Sequence, residues 1–169
     1  MADDFSIAAG PPEPASVAAL LDSLPSWFAQ SDSNADYIES STRMANFWAR
    51  TPDGQAIGVL VLERHNPTTA EVHLVAVRPE WHRRGVGRGL LHAVETELKA
   101  SGTRLLEVKT LGSAHPDPGY ALTRLFYESV GFLPVEEFEE FWPGTPCLLM
   151  IKPLDSRGIS SPSDALASI

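Results

Sequence analysis

The chain has 169 residues, a length typical of a single compact domain. Hydrophobic residues make up 43% of it, which excludes wholesale disorder, and its longest apolar run is too short to span a bilayer. The net charge of -9 argues against a general surface for nucleic acid or anionic membrane, because phosphate groups would be repelled.

The N-terminus and the cysteine content point to a compartment. Asp3 and Asp4 stand where a secretory signal peptide needs basic residues, and no apolar segment follows them. Cys147 is the only cysteine, so an internal disulfide and a cysteine-based zinc site are excluded. We therefore expect a cytoplasmic protein in a reducing compartment.

The first half of the chain is predicted to contain two helices and a three-stranded meander. Apolar residues at helical spacing end at Pro25, and the turn at 51–54 joins two strand-like segments into a hairpin. The predicted elements are a strand over 5–8, helices over 16–28 and 36–43, and strands over 44–49, 55–62 and 71–77.

Alternation in the last of these strands predicts two faces. The first would carry Val72, Leu74 and Ala76, and the second Glu71, His73, Val75 and Val77.

The second half alternates strands with amphipathic helices. A helix is predicted over 86–100 with Gly102 just beyond its end, and a second over 121–130 that buries Leu122, Leu125, Phe126 and Val130. Strands are predicted over 104–110, 133–138 and 147–151, with a loop over 112–119. The order of elements indicates an α+β protein.

The most informative segment joins the strand over 71–77 to the helix over 86–100 and contains several glycines. Glycine lets a ligand approach the free N–H groups at a helix start, and these groups and the helix dipole favour a diphosphate. Four of the 13 basic residues lie there: Arg78, Arg83, Arg84 and Arg88. Such a concentration in an acidic chain predicts a local anion site.

Two phosphate-binding motifs fit this segment poorly. A nucleotide P-loop needs Gly-Lys-Ser/Thr, and the chain has no lysine before Lys99. A dinucleotide fingerprint needs a third glycine where Leu90 stands, although Glu107 follows Gly87 at the spacing of a ribose-binding acid. A nucleotide-dependent oxidoreductase stays an alternative, despite the antiparallel hairpin upstream.

The segment resembles motif A of the GNAT superfamily of N-acetyltransferases, in which a strand ending in Val-x-Pro leads to Gln/Arg-x-x-Gly-x-Gly/Ala. Residues 77–79 supply the strand end, and 84–89 satisfy the glycine pattern literally. A second alignment takes Gly85 and Gly87 as the glycine pair, with His82 at the Gln/Arg position. Both alignments place the same amides around one pyrophosphate.

Residues 125–132 resemble the end of the motif B helix of the same superfamily, because Tyr127 is followed by Gly131 and Phe132. Tyr120 and Thr123 stand where the family usually has Asn-x-x-Ala. The resemblance implies the GNAT fold, a mixed and mostly antiparallel sheet of about six to seven strands flanked by about four helices. We predict one such domain over 1–154 and a flexible tail over 155–169.

The resemblance also implies acetyl transfer from acetyl-CoA, as co-substrate, to a primary amine by direct attack and without a metal. Tyr127 would be the general acid, and Glu71 the base, with His73 on the same strand as the alternative. The residues implied to bind acetyl-CoA are Val75, Ala76, Val77, His82, Arg83, Arg84, Gly85, Val86, Gly87 and Arg88.

The acceptor is expected to be a small-molecule or peptide amine, in a cleft near the aromatic residues Trp27, Phe28 and Tyr37. An acidic run favours an acceptor that carries positive charge, and consists of Glu136, Glu137, Glu139 and Glu140. The resemblance also implies a homodimer, because dimers are common in this family. An alternative function, that of a binding protein and not an enzyme, is a catalytically inactive module that binds acyl-CoA as a sensor.

Overall fold

The computed structural model describes residues 4–24 and 31–154, so the predicted tail lies outside the described residues. The strands are β1 (Ser6–Gly10), β2 (Ala45–Arg50), β3 (Ala56–Asn66), β4 (Thr69–Val77), β5 (Leu105–Leu111), β6 (Leu133–Trp142) and β7 (Thr145–Pro153). The helices are α1 (Pro14–Ser23), α2 (Ser31–Ser41), α3 (Val86–Ala100) and α4 (Pro118–Ser129), with a single 3₁₀ turn at Pro79–Trp81. Among the described helices, none is both long enough and apolar enough to cross a membrane.

All seven described strands form one mixed sheet in the order β1-β2-β3-β4-β5-β7-β6. Every neighbouring pair is antiparallel except β4 and β5. The predicted meander of β2, β3 and β4 is therefore confirmed. The parallel pair needs a crossover, which α3 provides.

Apolar layers lie on both faces of the sheet. Leu90, Val94 and Leu98 of α3 are fully buried in one layer, so the predicted apolar stripe of this helix is confirmed. Val17 and Leu20 of α1 are buried in the other layer. Each such side chain contributes about 1.5–3 kcal/mol when it leaves water, and together they fix the start of α3 over the centre of the sheet.

A bulge at His73 divides β4 into two segments. Val61 of β3 pairs with Leu74, but the next residue of β3 pairs with Val72, so His73 is an extra residue in the ladder. The bulge turns Val72 toward the α3 layer and Leu74 toward the α1 layer. The predicted strict alternation of this strand is therefore wrong, and Val75 packs on the same side as Val72.

The parallel strands β4 and β5 separate halfway along their length. Their pairing begins with Thr69 opposite Leu105 and ends with Val72 opposite Val108. Beyond these residues β4 continues only along β3, and β5 only along β7. A wedge-shaped opening results, bordered by two strand edges that lack a strand partner.

The fourth helix differs from its prediction in its start and in its buried face. Asp117 accepts a hydrogen bond from a first-turn backbone N–H at 2.8 Å, and the helix begins at Pro118 within the predicted loop. Leu122 and Leu125, which were predicted to be buried, are 60% and 58% exposed. Their stripe faces outward because α4 turns Tyr127 toward the sheet.

Candidate active site

The N-terminus of α3 offers backbone donors that no side chain caps. Gly85 occupies the cap position with φ of 85°, a left-handed conformation that glycine adopts without a Cβ penalty, and Arg83 has φ of 59°. The N–H groups of the first helical turn have no acceptor within the helix, and no side-chain hydrogen bond caps them. Such a turn at the positive end of a helix dipole favours a phosphate group.

The four arginines around this turn have different environments. Arg78 donates from Nε to a backbone carbonyl of β3 at 3.0 Å. Arg84 pairs with Asp4 at 2.7 Å and lies 4.0 Å from the centre of a neighbouring indole ring. Arg83 and Arg88 are exposed and make no hydrogen bond or ion pair within the described part of the chain. These two are the cations available to a diphosphate.

The structure separates the two alignments of the glycine motif. Gly85 and Gly87 lie at the cap and in the first turn of α3, where the donors are. A Cβ on Gly87 would lie 3.3 Å from the ring of Phe126, so this glycine also brings α4 close. A Cβ on Gly89 would come within 2.5 Å of Ile7 of β1, so this glycine serves packing against the sheet. The alignment on Gly85 and Gly87 matches the donor-rich turn.

Val75 and Val77 turn their backbone groups into the opening beside β4. The backbone N–H of Arg78, which follows Val77, donates to the Ile57 carbonyl of β3 at 2.9 Å. Because alternate residues bond the same neighbour in an antiparallel pair, Ala76 also bonds β3, and Val75 and Val77 face the other way. His82 Nε2 donates to the Val77 carbonyl on that side at 2.7 Å. Ala76, which is buried, holds the strand in place.

A cavity of about 390 Å³ occupies the opening between β4 and β5. Its walls come from these strands, α2, α4 and the turn between β6 and β7. Lys109 is the single described Lys or Arg in its lining, and the described lining residues include no carboxylate. The aromatic side chains that line the cavity are those of Tyr37, His73, His115, Tyr120, Tyr127 and Trp142.

Tyr127 lies at the inner wall of this cavity and is 4% exposed. Its ring packs against Phe132 and Phe126, with centroids 5.3 and 5.4 Å away. Burial raises the pKa of Tyr127 far above its usual range, and Tyr37 adds to this effect. The phenol is therefore neutral throughout the physiological pH range, and it is suited to donate a hydrogen bond inside the cavity.

The Glu71 carboxylate lies outside the cavity lining, in an ion-pair network behind it. Its Oε2 accepts hydrogen bonds from Lys109 Nζ at 2.6 Å and from His65 Nε2 at 2.9 Å. Both donors also contact Glu107, at 3.1 and 3.0 Å. Burial lowers the pKa of Lys109, but the bonds to the two carboxylates outweigh it and raise that pKa overall. Glu63 and His65 lie close enough to Glu71 for the three side chains to contact one cation, and the Lys109 ammonium already bonds Oε2 of Glu71.

The other residues predicted near the acceptor are distributed unevenly. Tyr37 lines the cavity, whereas Trp27 and Phe28 lie outside the described residues. The acidic run lies on the exposed strand β6, and none of its glutamates lines the cavity. Glu137 accepts a hydrogen bond from the Ser113 hydroxyl at 3.0 Å.

Several side chains of the cavity were not among the predicted site residues, including those of Lys109, His115, Tyr120, Thr123 and Trp142. Tyr120 and Thr123 precede Tyr127 by seven and four residues, so helical spacing from the predicted acid would have found them. His115 lies in the loop between β5 and α4, and Trp142 is the last residue of β6, so the approach of both to β4 depends on the tertiary fold.

Comparison with known proteins agrees with this geometry. A family profile described as acetyltransferase (GNAT) domain matches residues 43–134. A GNAT-family protein from Desulfovibrio desulfuricans is 21% identical, with a TM-score of 0.78 over 89% of this chain and 99% of that one. The ribosomal-protein-S18-alanine N-acetyltransferase of Escherichia coli is 20% identical, with a TM-score of 0.73 over 92% and 97%.

A third structure, a GNAT family acetyltransferase from Elizabethkingia anophelis with acetyl-CoA bound, is 20% identical, with a TM-score of 0.65 over 89% of this chain and 99% of that one. No curated protein sequence gives a significant match. The sheet that opens between two parallel strands beside a glycine-rich helix start is the fold of an acetyltransferase, and the matched profile covers more than half of the chain. The chain belongs to the GNAT acetyltransferase family, so the predicted family and fold are confirmed.

Proposed function

We propose that this protein transfers the acetyl group of acetyl-CoA to a primary amine by direct attack. The observation that carries the proposal is the succession of three features along β4: the uncapped start of α3 beyond its end, its free backbone edge, and the buried phenol of Tyr127 in the cavity that Val75 lines. His82 links the first two, because it bonds Val77 next to the turn. Val75, two residues earlier, lines the cavity that contains Tyr127.

Binding of acetyl-CoA would use the backbone more than side chains. Its diphosphate would accept hydrogen bonds from N–H groups of residues 85–88, with Arg83 and Arg88 as counter-charges. Its pantetheine, an extended chain with amide groups, would pair with Val75 and Val77 as an added strand does. The Elizabethkingia anophelis structure, solved with acetyl-CoA bound, supports this choice of co-substrate.

The chemistry would depend on two hydrogen-bond donors at the cavity wall. The Val75 N–H would polarise the thioester carbonyl as the amine nitrogen attacks it, an oxyanion contact that contributes about 3 kcal/mol in comparable sites. The Tyr127 hydroxyl would donate to the sulfur as the C–S bond breaks. Because its pKa is raised, the phenol gives up its proton only as the new amide nitrogen releases one to replace it.

The test is thiol release from acetyl-CoA in the presence of a panel of polyamines, aminoglycosides, lysine peptides and amino acids. We expect release of CoA that depends on the amine, with the acetylated amine detected by mass spectrometry. Calorimetry should show that acetyl-CoA binds without an amine present. Absence of amine-dependent release across the panel would count against the proposal.

Two rival functions predict different results in the same assays. A sensor module would bind acetyl-CoA but release no thiol with any amine, and Tyr127→Phe would leave its behaviour unchanged. An oxidoreductase would bind a nicotinamide cofactor and would not bind CoA. Calorimetry with both cofactors distinguishes these outcomes.

The acceptor, the assembly and the compartment stay predictions. An acceptor with positive charge would meet the glutamates of β6 only outside the cavity, since they do not line it. Preference for an anionic amine in the panel would contradict this prediction. Light scattering would test the predicted homodimer, for which the exposed Leu122 and Leu125 provide apolar surface, and fractionation of cells would test the cytoplasmic location.

A further inference from the structure

The cavity that contains Tyr127 limits the size of the acceptor. Under the proposed function, the acetyl thioester lies beside Val75 and Tyr127, and the acceptor takes the rest of the cavity. The volume of about 390 Å³ is near the lower end of the range for small-ligand sites, about 300–1,000 Å³. Because the acetyl group and the sulfur occupy part of this volume, the remaining space fits a small molecule.

Two pairs of aromatic rings line the cavity. Tyr37 of α2 packs edge-on against His73 of β4, with ring centroids 5.5 Å apart and an interplanar angle of 74°. His115, in the loop before α4, packs edge-on against Tyr120 of α4 at 5.0 Å and 77°. Trp142 at the end of β6 adds an indole. The members of an edge-on pair do not cover both faces of each other, so a further ring can stack on them.

The phenols of the lining are uncharged at physiological pH. Burial raises the pKa of Tyr37 and the pKa of Tyr120. Tyr37 also contributes to the raised pKa of Tyr120 and of Tyr127, so the three phenols lie within electrostatic reach of one another. Neutral hydroxyls of this kind can hydrogen-bond an uncharged substituent of a ligand, but they do not compensate a full charge.

The ion-pair network behind the cavity disfavours an acceptor with a carboxylate. Lys109 already donates to Glu71 at 2.6 Å and to Glu107 at 3.1 Å, so an acceptor carboxylate would compete with both. The network contains three carboxylates, since Glu63 also contacts His65, against one ammonium. His65 adds at most one positive charge. The network is therefore negative overall and repels an anion in the cavity.

A second positive charge on the acceptor would also lack a partner in the cavity. The described lining residues include no carboxylate, and the glutamates of β6 lie outside the lining. The reacting ammonium differs from a second cation, because it loses its proton before the amine attacks. A permanent second charge would lose its water of hydration without gaining an ion pair, which costs free energy.

We propose that the acceptor is a small primary amine whose body is an uncharged aromatic ring, an inference that rests on the acetyl transfer proposed above. The ring would lie among Tyr37, Tyr120 and Trp142, and a short chain would carry the amine to the thioester beside Tyr127. The C–N bond forms as the C–S bond breaks, and the products are the acetylated amine, CoA thiol and one released proton. The positive charge expected of the acceptor is then restricted to its reacting ammonium.

The first test varies the charge on an acceptor of constant shape. The para-aminoethyl derivatives of benzamide, benzoate and benzamidine share the ring and the reacting ammonium, and differ in a far group that is neutral, negative or positive. We expect kcat/KM for thiol release at pH 7 to be at least about tenfold higher for the benzamide than for either charged derivative. A charged derivative that matches or exceeds the benzamide would overturn the inference.

The second test concerns the aromatic ring itself and compares phenylethylamine with cyclohexylethylamine. We expect the unchanged protein to prefer the phenyl compound about fivefold in kcat/KM, and Trp142→Leu to reduce that preference to about twofold. Trp142→Phe should keep the preference, because it restores a ring. A purely structural role of Trp142 would lower both rates by the same factor. If Trp142→Leu does not fold, Tyr37→Leu replaces it with the same expectation.

A matched control and two further outcomes complete the design. Phe141→Leu changes a half-exposed ring next to Trp142 that lies outside the lining, and it should leave the preference unchanged. A reduction as large as that in Trp142→Leu would contradict the role of the cavity rings. If the unchanged protein prefers cyclohexylethylamine, polyamines or amino acids to phenylethylamine, acetyl transfer stands and the inference is overturned. Absence of thiol release with every amine contradicts the proposed function itself.

Discussion

Two helices begin close to the opening in the sheet, and their N-termini differ. The start of α4 is capped by Asp117, which accepts a hydrogen bond from a backbone N–H, and it begins with proline. The start of α3 has Gly85 at its cap, no capping side chain and the exposed Arg83 and Arg88 nearby. A carboxylate already fills the anion position at α4, whereas α3 leaves that position for a ligand.

Under the proposed function, the two helices would have different roles in the site. The first turn of α3 would hold acetyl-CoA with backbone groups, while α4 contributes the side chain of Tyr127 from its final turns. Changes at α3 should therefore affect binding, and changes at Tyr127 should affect the rate. Changes at the α4 cap should affect only stability.

The largest effect is expected from Tyr127→Phe, which removes the hydroxyl and keeps the ring packing. We expect kcat to fall about hundredfold or more, because the leaving sulfur loses its proton donor. The dissociation constant for acetyl-CoA should change less than about twofold, since the substitution leaves the first turn of α3, the proposed diphosphate site, intact. If calorimetry showed a loss of acetyl-CoA affinity as large as the loss of kcat, the separation of binding at α3 from catalysis at Tyr127 would be contradicted.

The next effect concerns charge at the α3 cap. Asp and Asn both tolerate the left-handed conformation of Gly85, so Gly85→Asp and Gly85→Asn differ mainly by one negative charge. We expect acetyl-CoA to bind about thirtyfold more weakly to the Asp variant than to the Asn variant, a difference of about 2 kcal/mol. Equal dissociation constants would show that the diphosphate binds elsewhere.

A smaller effect should distinguish the arginines around the same turn. Arg83→Gln and Arg88→Gln should each weaken acetyl-CoA binding about fivefold, because these cations have no other partner in the described structure. Arg84→Gln should change it less than about twofold, since Arg84 is already paired with Asp4. Titration at two salt concentrations provides the check, because the contribution of exposed cations decreases as salt rises.

The smallest effect is predicted at the α4 cap. Asp117→Ala should lower the free energy of unfolding by about 1 kcal/mol, and Asp117→Asn by only a few tenths, because asparagine can also cap a helix. Urea denaturation measures both. Neither variant should alter the affinity for acetyl-CoA, and an altered affinity would show that the two helix starts are not independent.

Local sequence signals predicted most of the fold and the part of the site that depends on neighbours in the chain. Apolar spacing predicted α3 from Val86, and the glycines before it predicted a helix start with free N–H groups, because both depend on short-range geometry, while the anion at that start stays a prediction. The resemblance around Tyr127 predicted a tyrosine that the structure places in the cavity. The prolines before α4 led to the prediction of a loop over 112–119. Asp117 followed by Pro118 is instead a helix-start signal.

Features that depend on strand register could not be predicted from the sequence. The extra residue at His73 is defined only by its pairing with β3, so alternation assigned Val72 and Leu74 to one face when they occupy two. The pairing of Glu71 with Lys109 joins residues 38 positions apart. The sequence showed both residues, but not that one would neutralise the other.

The bulge in β4 has a consequence for how this site can evolve. One extra residue lets the strand supply apolar side chains to both layers of the protein while it directs an imidazole into the cavity. An insertion or deletion beside His73 would exchange the inward and outward positions of all following residues, Val75 included. The side chain at this point can therefore be exchanged for another while both layers are kept, whereas a change in strand length would disrupt the core and the cavity wall together.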